Sequence, residues 1–425
     1  MSEQSPQAAP RRFGAFSYAP YRRFWLAALC RVFGLQFRFI GVGWLVVSEE
    51  GLNLSPIWLG IVGLAAALPP IALSVPAGIV ADRYEHRGIL AWSQGVTAAL
   101  SLLLAVGILQ DLVNVWLLIV WAVTVGCLTA VSMPAQSAIL PRLIEPASMP
   151  SAVALISTVW NTMRILGPAA AGVLIAWIGI GQAFFVTALG FALSTLLIAT
   201  LRLEPLERRA EERSEGMLGG VRYILRNRLF FATIGLSFFT SIFGMAYQTL
   251  LPVFAKDVLE VGSTGFGLLE TAVGVGGFLG TLTMIKVGSR PSSGIVMLAA
   301  AAIFGLFIAG FAASRDFEIS AALLFCAGFC SSLYLNIGMT TLQVLVPDPL
   351  RGRVMGVWSM TWFLSAVGGL PASALAEWIG APWTVALGAL SVTGFASLVF
   401  LLSAELRRLP AIESGRPGRG AAPAG

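Results

Sequence analysis

The sequence predicts an all-α membrane protein of twelve transmembrane helices arranged as two pseudo-symmetric six-helix bundles. Three observations predict it. First, 57% of the 425 residues are hydrophobic and 11% are charged, with a mean hydropathy of +0.84; a soluble protein carries about 25% charged residues. Second, apolar runs of spanning length recur at 24–47, 57–80, 88–109, 115–139, 152–177, 181–201, 230–254, 264–286, 291–313, 318–342, 354–379 and 382–403. Each is near the ~20 residues that a ~30 Å hydrocarbon core requires, and a backbone without water must be helical there. Third, the halves echo each other: Trp177-Ile178-Gly179 returns as Trp378-Ile379-Gly380, and Tyr21-Arg22-Arg23-Phe24-Trp25 as Asn227-Arg228-Leu229-Phe230-Phe231. A half-chain repeat in a polytopic protein points to a transporter whose substrate path runs between the halves.

The loops set the expected orientation. Of 27 basic residues, 22 fall on the side of the two termini, while Lys256 and Arg315 fall opposite and Arg31, Arg38 and Arg164 sit within helices. The positive-inside bias then places both termini in the cytoplasm of a multi-pass protein of the cytoplasmic (inner) membrane. The first twenty residues hold Arg11 and Arg12 but no signal-peptide core, so targeting is expected from the first apolar helix. The expected organisation is a cytoplasmic segment 1–23, a bundle 24–201, a cytoplasmic linker 202–229, a bundle 230–405 and a disordered cytoplasmic tail 406–425. Within the linker, Gly216 to Arg226 alternates apolar and basic positions. It reads equally as a short helix on the inner membrane face or as a plain linker.

Taken in order, helix one carries Arg31 and Arg38 seven residues apart on one face, with Gln36 in the turn of Arg38. A charge inside a spanning helix usually faces the bundle interior or a water-filled path. Arg38 is expected near mid-membrane, and Arg31 nearer the cytoplasmic end, where its side chain can alternatively reach the headgroups. Pro69, Pro70 and Pro76 are expected to bend helix two. Between helices two and three lies a charged turn from Gly78 to Arg87 containing Asp82, Arg83, Glu85 and His86. In helix five Asn161, Arg164, Pro168 and Gly172 share a stripe, with Gly167 beside it. The stripe is either a polar lining on a helix that bends or a packing interface.

Helix seven offers Thr240 and Tyr247, and helix ten offers Asn336, Thr340 and Gln343. Trp44, Trp160 and Trp362 are either aromatic lining or interfacial anchors. Glu270 is an acid within an apolar run early in helix eight. A carboxyl partly withdrawn from water suits proton uptake and release, although a hydrated carboxylate near the outer surface is the plainer alternative. Cys30, Cys127, Cys326 and Cys330 all lie in apolar runs and offer no metal-ligand set. No phosphate-binding loop is present, so a proton gradient replaces ATP as the default driver. Neither a cofactor nor a nucleic-acid partner is expected, and the chain does not read as an enzyme.

The helix count, the repeat and the turn Gly78, Asp82, Arg83, Arg87 resemble the major facilitator superfamily, whose loop between helices two and three reads Gly-x-x-x-Asp-Arg-x-Gly-Arg-Arg. Glu85 and His86 depart from that pattern, and the equivalent loop of the second half, Lys286 to Arg290, is degenerate. Arg164 to Pro168 with Gly172 resembles the helix-five signature of the antiporters. Val346-Pro347-Asp348 with Arg351-Gly352-Arg353 is similar to the loop before helix eleven in the branch of enterobactin-type siderophore exporters and macrolide or tetracycline pumps. The resemblance implies export of a small amphipathic compound by proton antiport, the work of a monomer in the bilayer, with substrate bound between the halves. It further implies that Gly78, Asp82, Arg83, Arg87 and Arg353 gate the cytoplasmic side, Asp82 facing the start of helix eleven. The excess of helix arginines over acids favours an anionic or zwitterionic substrate. Proton-coupled uptake, or a transport-inactive receptor or scaffold, are the alternatives.

Overall fold

The computed structural model describes residues 14–201, 218–287, 293–407 and 409. The stretch with Arg11 and Arg12, most of the predicted linker, residues 288–292 and the predicted tail from 410 onward lie outside the described residues. The first residues of that predicted disordered tail are instead ordered, Leu406 lying in a short helix, Ala404–Arg407, and both Leu406 and Leu409 being buried. Helices occupy all twelve predicted runs: α1 (Ala19–Val47), α2 (Ile57–Ala72, continued by Ser74–Arg83), α3 (His86–Leu109), α4 (Val115–Ile139), α5 (Met149–Ile178), α6 (Ile180–Ala199), α7 (Arg228–Val258), α8 (Gly262–Val287), α9 (Ser293–Ala313), α10 (Phe317–Leu345), α11 (Asp348–Ser359, continued by Thr361–Ile379) and α12 (Ala381–Leu402). Eleven are long and apolar enough to cross a membrane; α2 falls short because it breaks at Leu73, leaving the 16-residue apolar helix Ile57–Ala72. The break follows Pro69 and Pro70, which lack the N–H groups a continuous ladder needs.

Three helices begin three or more residues before their apolar runs. Pro20, Pro150 and Pro349 stand in the first turns of α1, α5 and α11, where a fixed φ and a missing N–H favour initiation. Asp348 adds a negative charge at the positive end of α11. Arg351 and Arg353 are therefore in the opening turns of α11, not in a loop before it. The early start of α1 also changes the expected depth of Arg31, which is the thirteenth of 29 residues while Arg38 is the twentieth. Arg31 is central in the helix, not near its end.

The repeat has a conformational basis. Gly179 (φ 93°) ends α5 and opens α6, and Gly380 (φ 85°) ends α11 and opens α12. Their N–H groups donate to Ile175 and Ala376. Both glycines occupy a region that side chains avoid, so the echoed Trp-Ile-Gly is one structural turn used twice.

The chain forms two compact units, Met1–Ala210 with Leu251–Thr271, and Glu211–Leu250 with Ala272–Gly425. In the first, α1 packs along α5 and α6, α3 along α4 and α6, and α2 along α4. Its terminal-side core gathers Tyr21, Phe24, Leu90, Ile139 and Ile198, and the Tyr21 hydroxyl donates to Ala152 O at 2.8 Å. In the second, α9 packs between α10 and α12. The short helix Leu218–Arg226 forms here, resolving the open reading of that stretch. It is seated on protein: Ile224 joins Leu342, Val354 and Trp358 in a core, while Val221 and Leu225 stay exposed. Trp116, Trp177, Trp378 and Trp383, all at helix ends, are more than two-thirds exposed, as membrane-interface anchors are.

Candidate substrate and coupling site

In the first unit α5 lies between α1 and the start of α8, and its glycines make this possible. A side chain at Gly167 would collide with Gln36 of α1, while one at Gly172 would meet the Ser263 carbonyl and Gly267 of α8. Gln36 Nε2 donates to Met163 O at 3.2 Å. Ser263 Oγ donates to Gly172 O at 3.1 Å, and Thr271 Oγ1 to Ile165 O at 2.9 Å. Such close backbone approach with hydroxyl bridges is how helices associate in lipid. The predicted bend residues Gly167, Pro168 and Gly172 are therefore all buried at helix contacts.

Arg164 is the sixteenth of the thirty residues of α5, and it is exposed. Asn161, one turn earlier, donates to Ser157 O of its own helix. Across the α5–α8 contact stands Glu270, 8% exposed, within electrostatic reach of Arg164. Its Oε1 is buried without a hydrogen-bond partner. The plainer expectation of a hydrated interfacial carboxylate does not describe this placement. On α1, the Arg31 guanidinium lies over the Trp160 ring (5.6 Å to the centroid) and the Arg38 guanidinium over Phe191 (5.9 Å).

The second unit holds the other predicted lining residues. Asn336 Nδ2 donates to Ser332 O and to Thr281 Oγ1, linking α10 to α8. Gln343 is exposed. Tyr247 is 2% exposed and lies against Phe304, which in turn meets Tyr334. Tyr247 and Thr240 are separated by a π-helical turn, Thr240–Gly244, a feature common at functional sites and invisible to a helical wheel. Trp44 is buried, and Trp362 is exposed.

Around the charged turn, Arg87 Nη1 donates to Leu201 O at 2.8 Å, and Arg87 Nε pairs with Glu85 at 3.3 Å. Arg23 donates to Thr200 O beside it. Two guanidinium groups thus satisfy carbonyls at the C-terminal end of α6, where positive charge is favourable. Arg83 is exposed. Gly78 has open space where a side chain would go. The Asp82 side chain lies outside those described. In the second unit, Gly219 and Gly220 of the short helix pack against Arg353.

Three features escaped the sequence reading. Lys256, counted there only as an outer-loop charge, donates from Nζ to Val47 O at 2.7 Å and to Asn53 Oδ1 at 2.8 Å, closing the C-terminal end of α1. The Ser263 and Thr271 bridges had no signal beyond their place in an apolar run. Arg142 and His86, 56 residues apart, meet at 3.4 Å through Nη1 and Nδ1.

Comparison with known proteins gives concordant results. The family model described as transmembrane secretion effector matches residues 11–417. A staphyloferrin A transporter of Staphylococcus aureus is 26% identical over 87% of this chain and 92% of its own length. The enterobactin exporter EntS of Citrobacter koseri is 26% identical over 84% and 87%. The multidrug efflux pump Tap of Mycolicibacterium fortuitum is 28% identical over 83% and 88%. Among solved structures, the nucleoside transporter NupG superposes with a TM-score of 0.76 at 14% identity, covering 90% of this chain and 98% of that one. A bacterial homologue of the lysosomal transporter Spinster superposes with a TM-score of 0.68 at 15% identity, over 90% and 97%. At these identities the likeness is one of fold.

Proposed function

The chain belongs to the transmembrane secretion effector family of major facilitator transporters, and from that membership we propose that it exports a small amphipathic organic compound across the cytoplasmic membrane in exchange for protons. The named relatives are siderophore transporters and a multidrug pump, which favours export over uptake. The expected arrangement, termini in the cytoplasm and six-helix halves at 24–201 and 230–405, is part of the same reading.

The observation that carries the coupling proposal is Glu270, buried at the contact of α5 and α8 with its Oε1 unpartnered and within electrostatic reach of Arg164. An arginine halfway along a spanning helix, yet exposed, borders water, because lipid at that depth is costly for a charge. Glu270 faces the same contact from α8 with its carboxyl withdrawn from water. A carboxyl that is buried in one conformation and reachable in another can take a proton from one side and release it to the other. Arg164 supplies the positive charge against which protonated and ionised Glu270 differ. Gln36, Arg38, Asn161, Tyr247, Asn336 and Gln343 are the proposed lining of the substrate path, with bending of α5 at Gly167, Pro168 and Gly172 allowing the halves to move.

Everted membrane vesicles test this. Imposing an inward-acid gradient is expected to drive accumulation of the exported compound, and Glu270→Gln is expected to abolish that accumulation while substrate still binds. Unchanged transport in Glu270→Gln would remove this residue from the coupling mechanism.

A further inference from the structure

We propose that Arg31 and Arg38 form a two-point anion site within the first unit, with Trp160 as its stacking platform, and that the transported compound carries two or more carboxylate-like groups about 10 Å apart. The word "transported" rests on the export reading above; the site does not. Seven residues of helix separate the two arginines, so they stand two turns apart on one face of α1. Each guanidinium lies over an aromatic ring, Trp160 of α5 or Phe191 of α6. A stacked guanidinium keeps its N–H edge free for the two oxygens of a carboxylate.

That edge is unused. Among the described residues, the ion pairs are Arg87–Glu85 and Arg351–Asp348, and neither involves α1. Arg31 Nη2 is buried and has no hydrogen-bond partner. The first unit sets few acids against this charge. Within its spanning helices the described carboxyls are Glu270, which is within reach of Arg164, and Asp257, exposed at the end of α7; Asp82 stands at the end of α2. An uncompensated charge in such a place is costly, and two of them on one helix face repel. An anionic ligand removes both penalties at once. Trp160 is 42% exposed, so the platform beside Arg31 is open to a bulky partner. A pair of forks, not a single charge, selects a molecule with two anionic ends and an apolar middle.

The test uses the full chain in phosphatidylcholine nanodiscs, with fluorescence polarisation of two related dyes: carboxyfluorescein, which bears several anionic groups, and rhodamine 123, a cation. Carboxyfluorescein is expected to bind at least tenfold more tightly than rhodamine 123. Arg31→Met and Arg38→Met, which keep the apolar stem over the ring, are each expected to weaken carboxyfluorescein binding tenfold or more without lowering the unfolding temperature. Arg31→Lys should recover part of the loss, since it restores charge without the fork. No carboxyfluorescein binding, or equal binding by wild type and the methionine variants, would overturn the site. So would its displacement when phosphatidylglycerol is added to the discs, which would assign the pair to a lipid headgroup. Everted vesicles separate the two proposals. Pumping of rhodamine 123 but not carboxyfluorescein leaves export standing and overturns the anion site. Carboxyfluorescein that binds as expected but is never pumped supports the site and counts against export.

Discussion

At the scale of the residue, the chemistry of this protein sits in a handful of polar groups held inside apolar helices. Lys256 shows how much one of them carries. Its ammonium closes the last carbonyl of α1 and the side chain of Asn53, whose own backbone is left-handed at φ 45°. Replacing it with methionine removes two charge-assisted bonds, which are stronger than neutral ones. Lys256→Met is expected to cost about 1–3 kcal/mol, read as a lower unfolding temperature of the purified protein. Glycine acts by absence. A methyl group at Gly267 meets the backbone carbonyl of Pro168, which cannot step aside. Gly267→Ala should force α5 and α8 apart and destabilise the first unit by about 1–3 kcal/mol; unchanged stability would mean that the contact is looser than its geometry indicates. Lys256 was legible in the sequence only as a charge, since its partners are set by a helix end more than 200 residues away.

At the scale of the element, turns and caps repeat between the halves more faithfully than the polar residues do. Gly179 and Gly380 share a backbone conformation that is essentially reserved for glycine. Each substitution, Gly179→Ala or Gly380→Ala, is expected to cost about 1–3 kcal/mol, and the two effects should add, because the sites lie in separate units. Thermal unfolding of the single and double variants checks both statements. At the start of α7, Asn227 accepts from the N–H groups of Leu229 and Phe230. Asn227→Ala should cost about 0.5–2 kcal/mol as a lost N-cap. The echo of Trp177-Ile178-Gly179 in Trp378-Ile379-Gly380 was readable in advance because local backbone demands are written in local residues; the cap at Asn227 was not singled out. The two π-helical turns in α7, Thr240–Gly244 and Phe254–Val258, were not readable, because an extra residue in a turn leaves no mark on an apolar pattern.

At the scale of the whole molecule, function depends on orientation and movement. The proposed placement of the termini in the cytoplasm puts the turn after α3 outside and the turn after α2 inside. Leu112 and Tyr84 occupy these turns and are well exposed. In intact cells a membrane-impermeant maleimide should label Leu112→Cys, and should label Tyr84→Cys only after permeabilisation; the reverse pattern would invert the topology. The charged turn also bears on movement. Asp82→Asn is expected to slow turnover more than it lowers folded yield, and wild-type transport in that variant would refute a gating role. Arg87 already has a structural task at the end of α6, so its loss should reduce stability as well as turnover.

The sequence by itself determined the class, the number of spans, the half-repeat and the family. All of these follow from hydrophobic length, charge placement and turn residues, which are properties of neighbours along the chain. Tertiary structure alone decided that Arg31 lies over Trp160, that Glu270 is buried, and that Arg87 and Lys256 close helix ends. It also decided that α1, α5 and α11 start within their polar leaders, which moved Arg31 to the centre of its helix. A polar residue in an apolar run announces that a partner is needed, but only packing between distant helices supplies one.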